Sequence, residues 1–307
     1  MLAIVIPYYK FMFFEKTLNS LASQTDKRFK VYIGDDASSE DPKETLAKYE
    51  GKFDFIYHRF DNNLGSTSLV NQWDRSIELI NNEEWIMILG DDDVLSENII
   101  ETFYKNLHSI DKAKSNVVRF ATQTIDNIRN SSSKIFVHPK LEKASDSYYR
   151  RCSGLSRSSL SEYVFKKEIY LKYRFKNYPL AWHSDDFAWI EFAENYPIYS
   201  INESVVFITI SNESLTGKIS NLIEKNKSDI LFFMDLITLK LKLFKRSERS
   251  ELLLQTEIVL KKYREITRKE WKKLAWLYFS NLLFFPFLKL IRRFIKDSFL
   301  ITSKKTI

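Results

Sequence analysis

Asp91-Asp92-Asp93 is the densest run of carboxylates in the chain. Adjacent carboxylates repel one another unless a cation offsets them. They also supply the hard oxygen ligands that hold Mg²⁺ or Mn²⁺, ions that take phosphate oxygens as well. An acidic turn that caps a helix is the other reading of the same residues. Two acidic pairs stand apart from the triplet: Asp35-Asp36, followed by Ala37-Ser38-Ser39, and Asp185-Asp186, preceded by Trp182-His183-Ser184. By itself the first pair reads as a capped loop. The second stands in an aromatic and polar setting uncommon in a plain loop, with a capped helix start as its other reading. Cys152 is the single cysteine, which excludes an intramolecular disulfide framework and a cysteine-rich zinc site. His58, His108 and His138 lack metal-ligand spacing, and Trp73 and Trp189 fall at helical positions expected of core.

Carboxylates act only where a scaffold holds them, and the first 125 residues supply one. Residues 2–6 are a continuous apolar run stopped by Pro7, as in a strand buried on both faces. Residues 14–23 follow at helical spacing, 30–34 form a second strand ending at Asp35, and Asp41-Pro42 opens a helix with proline at its first position. Residues 53–58, 85–89 and 116–120 read as further strands and 69–80 as a helix. The alternation predicts an α/β fold with a mostly parallel sheet and helices on both faces. Ligands in such sheets bind at the carboxyl ends of the strands, where the first two acidic clusters lie. Residues 126–160 are polar and read as loops, 163–165 and 205–210 as strands, and 187–194 as a short helix.

The charge is unevenly spread. The chain of 307 residues carries +7 overall, but residues 240–307 hold 18 Lys+Arg against 6 Asp+Glu, a net of +12, leaving −5 for the first 239. Such asymmetry points to an anionic partner for the tail. Residues 274–288 (LAWLYFSNLLFFPFL) are too short and too interrupted to span a bilayer, which takes about 20 apolar residues. With Trp271, Trp276, Tyr278 and flanking Lys and Arg, they read as a helix lying in the membrane interface. Nucleic-acid binders interleave basic residues with stacking aromatics, so the long apolar run favours an anionic membrane surface over nucleic acid. The chain opens straight into its apolar strand without a basic leader, so a cytoplasmic protein, peripheral on the inner face of the membrane, is expected. Asn212-Glu213-Ser214 is a formal glycosylation acceptor without consequence in that compartment.

Four segments taken together carry a resemblance: VIPYYK at 5–10, IGDDASSED at 33–41, NNLGSTSLVNQW at 62–73 and ILGDDDVLSENI at 88–99. In order and spacing they resemble the inverting family 2 glycosyltransferases of the GT-A fold, strongly over about the first 110 residues and more weakly through the WHSDD segment. The resemblance implies a nucleotide-sugar site: Pro7 and Tyr9 beside the base, Asp35 or Asp36 on uracil or ribose, and Asn63, Gly65 and Asn71 shaping the donor pocket. It further implies that Asp91 and Asp92 meet the nucleotide, and that Asp92 and Asp93 hold the Mn²⁺ or Mg²⁺ bridging the diphosphate. Gly90 stands where the family pattern has its first Asp. Asp186 matches the catalytic base, with Trp182, His183 and Asp185 toward the acceptor.

The implied domains are a catalytic domain over 1–218 (nucleotide-sugar half 1–110, acceptor half 111–218) and a helical basic region over 219–307. The implied activity is transfer of a hexose from UDP-Glc, UDP-Gal or UDP-GlcNAc to a polyprenyl-diphosphate-linked saccharide in O-antigen or capsule assembly, forming a β-linkage. The alternatives are a protein or other polymer as acceptor, or a non-catalytic nucleotide-sugar or membrane-binding module. Retention of both acidic clusters argues against a dead site.

Overall fold

The computed structural model describes residues 1–212, 214 and 221–304, with side chains through 297. Glu213 of the formal glycosylation acceptor and the expected domain boundary at 218 lie outside the described residues. The chain divides into two units, Met1–Lys225 and Asn226–Ile307, so the division falls within a helix.

The first unit begins with β1 (Leu2–Tyr8), α1 (Phe14–Ala22), β2 (Phe29–Asp35), α2 (Lys43–Ala47), β3 (Asp54–Arg59), α3 (Leu69–Ile77) and β4 (Trp85–Ile88). It continues through β5 (Val94–Leu95), α4 (Ile99–Lys112), β6 (Val117–Asp126), β7 (Ser131–Ser132), β8 (Leu141–Glu142) and α5 (Ala144–Cys152). β9 (Tyr163–Lys166), α6 (Lys167–Tyr173), α7 (Ser184–Phe192) and β10 (Ile198–Ile210) complete the sheet and its cover. The strand order is β3-β2-β1-β4-β9-β6-β10-β5, with β7 on β6 and β8 on β10. β3, β2, β1 and β4 run parallel, as do β6 and β10, while β9 is antiparallel to both its neighbours.

Alternation along β1 sends its residues to opposite faces. Leu2, Ile4 and Ile6 join Phe14 and Leu18 of α1 and Phe103 of α4, whereas Ala3 and Val5 join Val70 and Trp73 of α3 and Phe192 of α7. Trp73 and Trp189 are buried in this second core.

The structure corrects several boundaries. β1 runs through Pro7 to Tyr8, because proline removes a hydrogen bond on one edge of a strand only. Val5 O still accepts from Leu89 N at 2.9 Å, after which pairing toward β4 stops, while pairing to β2 continues to Tyr8 opposite Asp35. Pro42 is the N-cap of α2 rather than its first helical residue. The largest departure is α5, in a region read as loop. Its sequence, ASDSYYRRC, has no apolar stripe, and its buried face is Ala144, Ser145, Ser147 and Tyr148. Polar bonds hold it instead. Arg119 of β6, 1 % exposed, donates to Ser147 Oγ at 2.6 Å, Glu142 Oε2 at 2.7 Å and Ser200 Oγ at 3.1 Å, and Arg150 of α5 pairs with the same Glu142 at 2.9 Å.

The second unit holds most of α8 (Leu222–Asp235), then α9 (Arg246–Tyr263), α10 (Arg268–Ser280) and α11 (Phe284–Lys304). The apolar 274–288 run is not one helix. The Asn281 side chain bonds Leu277 O at 2.8 Å, Leu282 takes a left-handed φ of 57°, and the chain reverses before α11. Pro286 falls in the first turn of α11, where backbone N–H groups have no helical partner to lose. Glu257 of α9, 1 % exposed, pins α11 through Arg293 at 2.7 Å and also takes Lys261 at 2.9 Å, so part of the basic charge is neutralised internally. No helix among the described residues is long and apolar enough to cross a membrane.

Candidate active site

The triplet leaves the carboxyl end of β4 with each carboxylate in a different situation. Asp91 Oδ2 accepts the backbone N–H of Tyr9 at 2.9 Å and of Lys10 at 2.7 Å, fastening the loop after β1. Asp93 is held at both oxygens: Ser161 Oγ donates to Oδ2 at 2.5 Å and Thr209 N to Oδ1 at 2.9 Å. Thr17 of α1 fixes the turn itself by donating to Asp93 O at 2.8 Å. Asp92 accepts no hydrogen bond from another residue among the described residues. Burial, with Asp93 and Asp91 alongside, pushes its carboxyl up to about 7, and Lys10 offsets only part of that. Burial also raises Asp91 and Asp93, partly offset by Lys10 for the former and by Ser161 and Thr209 for the latter. Gly90 is required here. A Cβ would stand 2.9 Å from Asp93 Oδ2 and 3.1 Å from Asp92 Oδ1, which accounts for glycine in place of an acid.

The second pair lies at the end of β2, with β1 between it and β4. Asp35 is fully buried, with Oδ1 accepting Ser38 N at 2.8 Å and Oδ2 accepting Tyr57 OH at 2.6 Å and Arg59 at 2.9 Å. Asp36 accepts Leu64 N at 2.7 Å, Gly65 N at 2.9 Å and the Arg75 guanidinium. A side chain at Gly65 would meet Asp36 Oδ2 at 2.5 Å, so this glycine allows the carboxylate to grip the turn. Asn63 stabilises the same turn by accepting Ser66 N at 2.9 Å. Asn71 is exposed in the first turn of α3, which Ser68 caps at 3.1 Å. Pro7 is half-buried and Tyr9 is 44 % exposed at the mouth of β1. Of the residues expected of a donor pocket, Asp36 is bonded to Gly65, Asp91 to Tyr9, and Asp36 N donates to Tyr8 O at 3.0 Å across the ends of β2 and β1; among the described residues Asn71 makes no hydrogen bond to any of them.

Asp185 and Asp186 open α7, after a strained approach. Leu180, Ala181 and His183 have φ of 58°, 52° and 71°, a region costly for residues with side chains and concentrated at functional sites. The two carboxylates part company. Asp186 Oδ2 meets Arg151 of α5 at 2.9 Å and His183 Nδ1 at 2.8 Å. Burial pushes the Asp186 carboxyl up, but Arg151 and His183 more than offset this and hold it below its ordinary value. The cavity beside it, lined by Tyr148, Arg151, Arg157 and Tyr163, measures about 10 Å³, room for about one water. Asp185 has no ion pair or side-chain hydrogen bond among the described residues; its carboxylate meets only the backbone N–H of Asp186. Burial and the neighbouring Asp186 charge push it up to about 6, against the pull of Arg151. Trp182 is half-buried, with the Lys225 ammonium 4.8 Å from its ring centroid.

Sequence reasoning missed the residues that tie these groups together. Ser161 accepts Gly90 N at 3.0 Å as well as binding Asp93, and Arg157 lines the Asp186 cavity while its charge bears on Asp93. Glu162, buried and pushed up to about 7 by that burial, is engaged by Arg157 at 3.4 Å and Ser159 at 2.5 Å. Residues 156–162 thus bridge the triplet and the Asp185-Asp186 pair, although their serines signal only a loop. For Lys10 there was a signal, its place two residues after the end of β1. For Arg151, on a helix without an apolar stripe, there was none.

The residues present fit a divalent cation of a particular kind. Among the described residues no group of three or more His, Cys, Asp or Glu forms a ready-made cage. A site with one unpaired carboxylate suits an ion that takes its remaining ligands from a diphosphate and water, as Mg²⁺ does.

A parallel half with acidic turns at its strand ends, joined to a mixed half that carries a further acidic pair, defines an α/β fold of the GT-A glycosyltransferase type. Residues 3–170 match the family described as Glycosyl transferase family 2, more than half of the chain, and the chain belongs to that family. Among curated proteins no match was found. The structure is similar to that of S. aureus TarS 1-349 in complex with UDP-GlcNAc, with a TM-score of 0.63 and 14% identity over 91% of this chain and 80% of that one. The complex of TarS 1-349 with UDP gives a TM-score of 0.60 at 14% identity, over 94% and 80%. Against the longer S. aureus TarS structure, the TM-score is 0.60 at 14% identity, and this chain spans 48% of that one. These likenesses concern the fold.

Proposed function

We propose that this glycosyltransferase moves a hexose from a UDP-sugar, with inversion, to a saccharide carried on polyprenyl diphosphate at the inner face of the membrane. The observation that carries the donor half is the unpaired Asp92 carboxylate, set between two neighbours that the protein has already engaged. UDP as the nucleotide is supported by the UDP-GlcNAc complex of a protein of the same fold. Bound there, Mg²⁺ or Mn²⁺ supplies Lewis-acid stabilisation of charge on the departing diphosphate. Asp92 would hold the ion; Asp93, expected to share that role, also holds the turn to Ser161 and Thr209. Asp91 fixes the Tyr9–Lys10 backbone and so places the Lys10 charge beside the triplet.

At the acceptor end, geometry favours Asp185 over Asp186 as the base. A general base needs an accessible lone pair and a pKa near the working pH. Asp186 spends its Oδ2 on Arg151 and His183 beside a water-sized space, whereas Asp185 is tied to no side chain and is raised to about 6. Asp185 takes the proton as the acceptor hydroxyl attacks the anomeric carbon, and Asp186 keeps the strained 180–183 turn and α5 in place. The lipid-linked acceptor rests on the second unit, whose exposed Trp276, Phe285 and Leu288 stand among basic residues.

The test is a panel of nucleotide sugars incubated with Mn²⁺ or Mg²⁺. Slow hydrolysis of a UDP-hexose that stops on chelation is expected. A donor bearing another nucleotide, or turnover that ignores chelator, would remove the corresponding part of the reading.

A further inference from the structure

Between α10 and α11 lies a cavity of about 200 Å³. Its walls include Trp271, Ala275, Leu290 and Phe294, and two cations, Arg268 and Lys272, also line it. An apolar cavity of about 150 Å³ stays dry and takes up benzene, so this one has room for a short run of hydrocarbon. Several cations of this unit are paired. Arg264 is paired with Glu270, Lys261 with Glu257 and Asp297, and Arg293 with Glu257. Arg268 and Lys272, the two at the cavity, have no carboxylate partner among the described residues. An apolar slot beside two uncompensated cations is complementary to a ligand with a hydrocarbon chain and an anionic head.

We propose that this groove binds one acyl chain of an anionic phospholipid, with its phosphate on Arg268 and Lys272. This rests on the membrane reading above and deepens it: the surface is not only adsorbed to but holds a single lipid. A nucleic acid has no chain to fill the slot, and a second copy of this basic unit brings no matching anion.

Dihexanoyl phosphatidylglycerol, kept below its micelle concentration, is titrated calorimetrically into the full chain. Saturable one-to-one binding is expected, weakened at least about tenfold by Ala275→Trp, which fills the slot, and by the Arg268→Gln/Lys272→Gln pair, which leaves it open. Dihexanoyl phosphatidylcholine should bind about tenfold more weakly than the anionic lipid. Ala275→Trp should still partition onto phosphatidylglycerol vesicles. If the wild-type chain partitions but shows no saturable binding of the soluble lipid, or if both sets of substitutions leave that binding unchanged, the groove proposal is overturned and the membrane reading stands. If the wild-type chain fails to partition at all, the membrane reading falls first. Self-association in sedimentation that Ala275→Trp abolishes, without lipid binding, assigns the groove to a second copy and also overturns the proposal.

Discussion

Five aspartates of like chemistry, Asp91, Asp92, Asp93, Asp185 and Asp186, are given different tasks by what each one touches. Asp92 carries a folded-state pKa near 7 in place of 3.8. A carboxyl raised in this way favours folding when protonated, and that contribution is lost as pH rises from about 4 through 7. Asp92→Asn should therefore raise the melting temperature of the ligand-free protein at pH 8, by about 1–3 kcal/mol of stability, and leave it unchanged at pH 4. Equal effects at both pH values would contradict an uncompensated charge. The same substitution should weaken metal-dependent UDP binding in calorimetry. The Asp185-Asp186 pair separates by kinetics. Asp185→Asn should cost about 10²–10⁴ in kcat and remove the rise of kcat/KM through pH 6, with UDP affinity retained. Asp186→Asn should instead lower stability by loosening a buried pair with Arg151. An intact, inactive Asp186→Asn beside an active Asp185→Asn would return the base to Asp186.

At the scale of elements, α5 ties β6 and β8 to α7 within the acceptor half, and it is held by charge rather than apolar area. Arg119 reaches it from β6, Glu142 from β8, and Arg151 passes the contact on to Asp186. Removing one partner of a buried pair leaves the other charge unmatched, at about 3–5 kcal/mol. Glu142→Ala should accordingly destabilise the protein by that order and speed amide exchange in residues 144–152 before the parallel half is affected. Unchanged exchange in α5 would show that its backbone needs no such support. β1, β2 and β4 were legible because apolar runs of strand length stopped at Pro7, Asp35 and the Asp91–Asp93 triplet. α5 was not, because helical periodicity is a pattern of apolar residues and its anchors are Ser, Tyr and Arg.

Over the whole molecule the net charge of +7 is the sum of an acidic catalytic part and a basic helical part, and the two imply different partners. The full chain should float with phosphatidylglycerol vesicles and much less with neutral ones, the difference shrinking as salt rises through about 0.5 M because screening shortens the reach of its charges. Indifference to lipid charge would leave the exposed Trp276, Phe285 and Leu288 as a protein-binding face instead. Sequence alone determined the family, the α/β rhythm, the acidic strand ends and the basic tail, since all of these are local in the chain: runs, spacings and adjacent charges. Tertiary structure alone decided which carboxylates remain free. Asp91 is engaged by residues 9 and 10, Asp93 by 161 and 209, and Asp186 by 151. A hydrogen bond consumes a lone pair whatever the distance along the chain, and no spacing within one segment records a partner that folding brings from seventy residues away.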